Sequence, residues 1–97
     1  MIIMNLRKFK VIKNGKEYNL SLNDFRILKA LSGNTKVTHR ELSLILYGKY
    51  EDSIKYEFNP YYHAVCTAVN RLKKKMNLDL VNHRHLGYEL LEDIAIE

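Results

Sequence analysis

The sequence predicts an α+β fold that begins with a β-hairpin, continues with three helices and ends with a second β-hairpin. Three observations support this prediction: an Asn14-Gly15 turn between strand-like segments, two capping boxes that precede apolar helical stripes, and a long amphipathic helix before another strand–turn–strand pattern. The 97 residues can bury one small core and are too few for two domains. We expect one domain over residues 1–97, divided into a hairpin at 1–20, a helical core at 21–76, a hairpin at 78–91 and an acidic tail at 92–97.

Composition excludes several classes of protein. Apolar residues make up 46% and charged residues 28%, as in soluble folded chains. No apolar run approaches the roughly 18 residues that a spanning helix needs, and residues 1–4 are too short for a signal peptide, so no membrane partner is expected. The single cysteine, Cys66, cannot form an internal disulfide, which indicates a reducing, cytoplasmic location. A net charge of +5 and a pI near 9.4 favour a polyanionic partner.

The first hairpin combines strand periodicity with a concentration of positive charge. Residues 6–12 alternate between apolar and basic side chains, Asn14-Gly15 suits a type I′ turn, and residues 16–20 form the return strand. Two interpretations of the charge stay open, namely a second contact with a nucleic-acid backbone and protection of a strand edge. The cations of this cluster are Arg7, Lys8, Lys10, Lys13 and Lys16.

The first two helices carry clear start and stop signals. Ser21 and Thr38 are the expected N-caps, each followed three positions later by an acidic residue that completes a capping box. Gly33-Asn34 and Gly48 are the expected ends. The expected apolar faces are Leu22, Phe25, Leu28 and Leu31 in the first helix and Leu42, Ile45 and Leu46 in the second.

The third helix, over residues 60–76, is the most informative segment. Asn59 is the expected N-cap, and Pro60 occupies the first helical position, where proline is tolerated. At 100° per residue, one face is apolar and the opposite face is polar and cationic, and about 17 residues span roughly 25 Å, enough to lie in a major groove. The apolar line is Val65, Val69, Leu72 and Met76, whereas the opposite line is His63, Thr67, Asn70, Arg71 and Lys74, flanked by Lys73 and Lys75.

A second hairpin follows directly. Residues 78–83 and 88–91 are the expected strands, and residues 84–87 are the turn. Strands, three helices and a terminal hairpin form the order of a winged helix-turn-helix. Acidic residues concentrate after this hairpin, at Glu92, Asp93 and Glu97, where a tail would stay clear of a nucleic acid.

In this order and spacing, residues 6–91 resemble the winged-helix effector domain of OmpR/PhoB-type response regulators. His85 stands where that family has the first glycine of its wing turn, and Tyr47 stands where it usually has tryptophan. The segments that carry the resemblance are LSLNDFRILKAL at 20–31, VTHREL at 37–42, LYG at 46–48, VNRLKKKM at 69–76 and RHLGYEL at 84–90.

The resemblance implies a sequence-specific, double-stranded DNA-binding transcriptional regulator of bacterial or phage origin. The third helix would enter the major groove and the wing, residues 84–87, the minor groove. The implied base contacts are Thr67, Asn70 and Arg71, the implied phosphate contacts are Lys73, Lys74, Lys75 and His63, and the implied wing contacts are Arg84 and His85.

The resemblance also implies protein partners and a question about regulation. Family members contact RNA polymerase through the loop that corresponds to residues 49–59, and they often bind DNA side by side as homodimers. Met1 stands only five residues before the first predicted strand, so no receiver domain is expected. The chain would be either an excised effector domain or a stand-alone regulator without a phosphorylation switch.

Two other functions are compatible with the pattern. The chain could be a winged-helix protein-interaction module, such as a phage-type inhibitor or adaptor, that uses the aromatic segment 47–62 with Tyr50, Tyr56 and Phe58 as contacts. Charge alone would also allow nonspecific coating of nucleic acid.

Nothing in the pattern favours an enzyme, a metal site or a cofactor. No spacing sets a nucleophile beside a base, and no glycine-rich phosphate loop is present. His83 and His85 would share one face of a strand, but no carboxylate or second cysteine accompanies them as a ligand set. Cys66 lies beside the apolar line of the third helix and is expected to be a half-buried small hydrophobic residue.

Overall fold

The computed structural model describes residues 1–33, 36–84 and 86–97. It has the expected α+β architecture, with strands at the amino terminus, three helices and a C-terminal hairpin. A single 3₁₀ turn, Tyr56–Phe58, interrupts the segment expected to be an extended loop. The strands are β1 (Ile2–Asn5), β2 (Lys10–Lys13), β3 (Lys16–Tyr18), β4 (Leu80–His83), β5 (Gly87–Leu90) and β6 (Ile94–Ile96), and the helices are α1 (Leu22–Leu31), α2 (His39–Tyr47) and α3 (Pro60–Met76).

The N-terminal hairpin belongs to a four-stranded sheet of order β3-β2-β1-β6. The predicted turn is confirmed, since Asn14 and Gly15 join β2 to β3 with φ of 50° and 81°. The predicted strand at residues 6–12 is wrong in its first half, because residues 6–9 form the turn between β1 and β2. Phe9 takes a φ of 57° there, and its ring stacks on Phe25 of α1 with centroids 4.3 Å apart.

Residues 92–97 are not a free acidic tail. Ile94–Ile96 forms β6, which pairs parallel to β1 with Ile2 opposite Ile94. The Glu97 amide donates to the Met4 carbonyl at 2.8 Å, and the Ile94 side chain packs against the core. The strand escaped the sequence analysis because three residues give no detectable period, and their partner strand lies some ninety positions away.

The predicted N-caps are confirmed, and of the two predicted capping boxes the one in α1 has both of its hydrogen bonds. Ser21 Oγ accepts the Asp24 amide at 3.1 Å while the Asp24 carboxylate accepts the Ser21 amide at 3.4 Å, which completes the capping box of α1. Thr38 Oγ1 accepts the Glu41 amide at 3.0 Å, and Gly48 closes α2 at a φ of 76°. The first helix ends at Leu31, slightly before the predicted stop, whose Asn34 lies outside the described residues.

The burial of side chains in the core confirms the predicted apolar face of α3. In α1 and α2, one residue of each predicted apolar face is exposed instead. All four predicted core residues of α3 are buried, whereas Leu22 and Ile45 are 51% and 43% exposed. Ile27 and Ser43 are buried instead. Helix α1 packs against α2, α3 and β5 at once, so its inward face is wider than one stripe of three-residue spacing. None of the described helices combines the length and apolarity that crossing a membrane requires.

Candidate nucleic-acid interface

Asn59 determines where α3 begins. Its side chain is fully buried, and its Oδ1 accepts the amides of Tyr61 and Tyr62 at 3.0 and 3.4 Å. Its Nδ2 donates to the Glu51 carbonyl at 2.9 Å. One amide group therefore caps the helix and attaches the preceding loop to it.

The exposed face of α3 consists of the seven residues predicted from the sequence: His63, Thr67, Asn70, Arg71, Lys73, Lys74 and Lys75, all of which are solvent-exposed. It lies opposite the buried line that begins at Val65. The last turn of α3 holds three lysines, whose charge also suits the negative end of the helix dipole.

Local contacts divide the exposed face into two parts. The His63 imidazole pairs with the Glu57 carbonyl at 2.8 Å, and the Thr67 hydroxyl donates to the His63 carbonyl at 3.0 Å. Lys75 Nζ lies 3.7 Å from the Asp24 carboxylate. Among the described residues, no side-chain hydrogen bond or ion pair engages the remaining members, Asn70, Arg71, Lys73 and Lys74. These four can meet a ligand without first breaking an internal bond.

Open clefts lie on both sides of the exposed face of α3. One, of about 380 Å³, is lined by Asn70, Lys73 and Lys74 together with residues 77–78. The other, of about 370 Å³, is lined by Arg71 and Thr67 and by the start of α1. The helix therefore projects from the surface, which is the shape needed to enter a groove.

The C-terminal hairpin presents its turn to solvent. Strands β4 and β5 pair antiparallel, with Leu80 opposite Leu90, and Arg84 is exposed at the turn. His85 lies outside the described residues. Leu86 is 60% exposed beside Arg84, and the sequence analysis did not single it out. Alternation gave no sign of this exposure, because Tyr88, two positions after Leu86, is buried.

His83 has a partner within the hairpin. Its Nε2 lies 2.9 Å from Glu89 Oε1 across the strand pair. Among residues 1–33, 36–84 and 86–97, no group of three His, Cys, Asp or Glu side chains lies together as a metal-ligand set.

The hairpin is attached to the helices through Tyr88, which is buried. Its backbone exchanges two hydrogen bonds of 2.8 Å with Val37, just before α2. The His39 ring packs 5.0 Å from the Tyr88 ring and 4.3 Å from the Tyr62 ring of α3. Burial raises the pKa of the Tyr88 phenol, and the neighbouring Cys66 adds to the rise. Cys66 is half-buried, as predicted.

The aromatic segment 47–62 is only partly a surface. Tyr50 is half-buried, and burial raises the pKa of its phenol. The Tyr56 ring lies 5.4 Å from the Tyr62 ring of α3. Phe58 is 74% exposed. Of the three predicted protein contacts, Phe58 offers the largest exposed apolar surface.

The basic cluster of the first hairpin is not one patch. Lys13 is buried and bonded, whereas Lys10 pairs with Glu17 at 3.6 Å and Lys16 lies over the Tyr18 ring at 5.0 Å from its centroid. The burial of Lys13 escaped the sequence analysis, because an alternating strand predicts which side a lysine lies on and not what covers that side.

Three solved structures have the same fold over most of this chain. The DNA-binding domain of Klebsiella pneumoniae RstA, in complex with the RstA box, has a TM-score of 0.72 at 22% identity, covering 88% of this chain and 85% of that one. The DNA-binding domain of Bacillus subtilis CssR has a TM-score of 0.71 at 21% identity, covering 94% and 100%. The DNA-binding domain of the response regulator AdeR, in complex with an intercistronic region, has a TM-score of 0.69 at 23% identity, covering 92% of each chain. The chain matches no protein-family model and no curated protein.

The fold therefore defines the class of this protein as a winged helix-turn-helix domain. Its structural neighbours are DNA-binding domains, one of them from a response regulator, which confirms the resemblance in fold. Fold alone does not define a ligand, so the function has to be argued from the side chains.

Proposed function

We propose that this chain is a sequence-specific, double-stranded DNA-binding transcriptional regulator. In this proposal α3 lies in the major groove and the wing, residues 84–87, reaches the adjacent minor groove. The observation that carries the proposal is the exposed face of α3, which offers an amide, a guanidinium and lysines on one projecting ridge. These groups suit base edges and phosphates, and the opposite face of the same helix is buried in the core.

The comparisons support the same proposal independently of the side chains. The similar domains of RstA and AdeR were both solved in complex with DNA elements, the RstA box and an intercistronic region. The net charge of +5 also favours association with a polyanion.

The contacts are assigned by chemistry and by local bonding. Asn70 and Arg71 are the leading base contacts, because both can bond bidentately to a purine edge. Thr67 is a third base contact, whose hydroxyl oxygen can accept a bond while its proton is donated to the His63 carbonyl. The phosphate contacts are Lys73, Lys74, Lys75 and His63, and the wing contacts are Arg84 and His85.

We expect a selection from random duplex DNA at physiological salt to recover a motif, and Arg71→Ala to lose affinity for it by about 10- to 100-fold. The loss arises because a bidentate contact with a base disappears. Discrimination at one base position should relax at the same time. Fluorescence anisotropy on the motif and on its single-base variants measures both effects. No enrichment in the selection, with binding that vanishes at moderate salt, would contradict sequence-specific recognition.

Lys74→Ala should weaken binding to every duplex and reduce the slope of log K against log salt by about one unit, because one phosphate contact and its released counterion are lost. Lys29→Ala is the matched control and should leave the slope unchanged, since Lys29 is exposed on α1 and belongs to none of the proposed contacts. Anisotropy titrations over a salt series give the two slopes. Equal slopes for wild type and Lys74→Ala would remove Lys74 from the phosphate contacts.

Protein partners form a second candidate function, favoured by the 74% exposure of Phe58. The aromatic segment 47–62 would then contact RNA polymerase in a regulator, or the target of an adaptor in a chain that does not bind DNA. A homodimer on DNA belongs to the same proposal. A random-DNA selection that recovers nothing, together with a pull-down abolished by Phe58→Ser, would favour the protein-interaction module.

A further inference from the structure

Lys13 is a buried cation at the C-terminal end of α3. Its side chain lies in β2 with only 8% of the residue exposed. The ammonium donates to the carbonyl of Met76 at 3.0 Å and to that of Asn77 at 2.6 Å. The last carbonyls of a helix lack intrahelical partners and carry the negative end of its dipole. A lysine from the N-terminal sheet therefore satisfies the end of α3.

Glu92 completes the arrangement from the other side. Its Oε2 accepts the Lys13 ammonium at 3.0 Å and the Asp79 amide at 2.8 Å. The Asp79 carbonyl in turn accepts the Leu91 amide at 2.9 Å. Residues 76–79 join α3 to β4, so one ion pair holds both ends of this junction.

The junction itself is a sharp change of direction. Asn77 adopts the left-handed conformation, at φ 52° and ψ 52°, and the Leu78 amide returns to the Lys73 carbonyl at 3.0 Å. The course of the chain after Asn77 determines where β4 and the wing lie relative to α3. We call Lys13, Glu92 and residues 76–79 the junction clamp.

Burying an ion pair is an inefficient route to stability, because desolvation of both charges offsets much of their attraction. An apolar pair of similar volume often gives equal or greater stability. What the charges add is a defined geometry, since the ammonium and the carboxylate together hold three backbone groups, the carbonyls of Met76 and Asn77 and the amide of Asp79.

We propose that the junction clamp fixes the angle between α3 and the wing, so that Lys13 and Glu92 are positioning residues for DNA binding. The inference rests on the proposed function, in which α3 and the wing contact one duplex together. Neither residue belongs to the exposed face of α3 or to the wing turn, so each acts through the backbone it holds. The N-terminal sheet thereby influences DNA affinity without contacting DNA.

The double variant Lys13→Met/Glu92→Met tests the proposal. It removes both charges and retains comparable side-chain volume, but it leaves the Met76 and Asn77 carbonyls without their donor, so the protein should stay folded and unfold at a moderately lower urea concentration. Residual dipolar couplings of backbone amides in α3 and in β4–β5 should show that the hairpin has rotated relative to the helix. Affinity for the selected duplex should fall about tenfold, a usual size for mutations remote from a coupled site. The salt slope should stay unchanged, because no phosphate contact is lost.

Lys10→Met/Glu17→Met is the matched control, because it removes an exposed pair of the same residue types from the same sheet. It should leave the couplings at wild-type values, because this pair does not touch residues 76–79. The conservative variant Lys13→Arg should bind DNA with near wild-type affinity, since a guanidinium can also donate to both carbonyls and to Glu92.

Each outcome decides the proposal. Unchanged couplings in the double variant overturn it, whatever happens to affinity, and so does a reduced salt slope, which would make Lys13 a direct phosphate contact. If wild type binds no duplex while the couplings change, the clamp stands and the DNA-binding function fails. If the double variant does not fold, Glu92→Gln decides by the same couplings, because it keeps an acceptor for Asp79 and removes the charge facing Lys13.

Discussion

Gly87→Ala is expected to lower the free energy of unfolding by at least about 3 kcal/mol, through backbone strain and overpacking together. Gly87 has a φ of 145°, a conformation that essentially only glycine adopts. A Cβ at this position would also meet the backbone of the segment before α2, 2.7 Å from the Val37 carbonyl carbon and 2.9 Å from the Thr38 Cα. Backbone atoms cannot rotate away as a side chain would.

The clash lies where the wing hairpin is hydrogen-bonded to the segment before α2. Val37 and Tyr88 exchange both of their backbone hydrogen bonds immediately beside Gly87. Separating the two segments to admit a methyl group would break these bonds and expose the Tyr88 ring, which is 1% exposed. The loss should therefore appear both in stability and in affinity for DNA.

Gly48→Ala is the control that isolates backbone strain. Gly48 has a φ of 76°, and nothing lies within 4 Å of a Cβ placed there. Its substitution should cost only about 1 kcal/mol, the strain of a left-handed residue. Urea unfolding of the two variants measures the difference. Equal losses would mean that the wing moves aside and that Gly87 is not a close-packing position.

Asn59→Ala is expected to cost about 2 to 3 kcal/mol, because it removes an N-cap and leaves a buried carbonyl unsatisfied. The capping oxygen accepts the amides of Tyr61 and Tyr62, and the amide nitrogen donates to the Glu51 carbonyl. Thermal or urea unfolding measures the loss. Hydrogen exchange should also accelerate at the first turn of α3.

Ser21→Ala is the comparison for that loss. Ser21 caps α1 in the same manner but is exposed, so its removal should cost about 1 kcal/mol. The additional loss of stability in Asn59→Ala over that in Ser21→Ala measures the contribution of the hydrogen bond from Asn59 Nδ2 to the Glu51 carbonyl. If both substitutions cost the same, that bond contributes nothing and Asn59 acts as a cap alone.

Much of the candidate interface was predictable from local sequence. The start of α3 at Asn59-Pro60 and its buried line follow from capping chemistry and from a period of 3.6 residues. Both properties belong to consecutive residues, so one helix predicts its own exposed face. Where packing involves several partners, the prediction failed, as at Leu22 and Ile45, which are helical but exposed.

The sequence by itself determined the three helices and their N-caps, the Asn14-Gly15 turn, the C-terminal strand pair and the exposed face of α3, because these depend on residues within a few positions of one another. Only the tertiary structure decided the role of Lys13 and the fate of residues 92–97. Lys13 meets Glu92 across 79 positions, and β6 pairs with a strand at the opposite end of the chain. A lysine in a strand has the same local pattern whether its ammonium ends in water or at the last carbonyls of a helix, and that difference arises only when distant segments pack together.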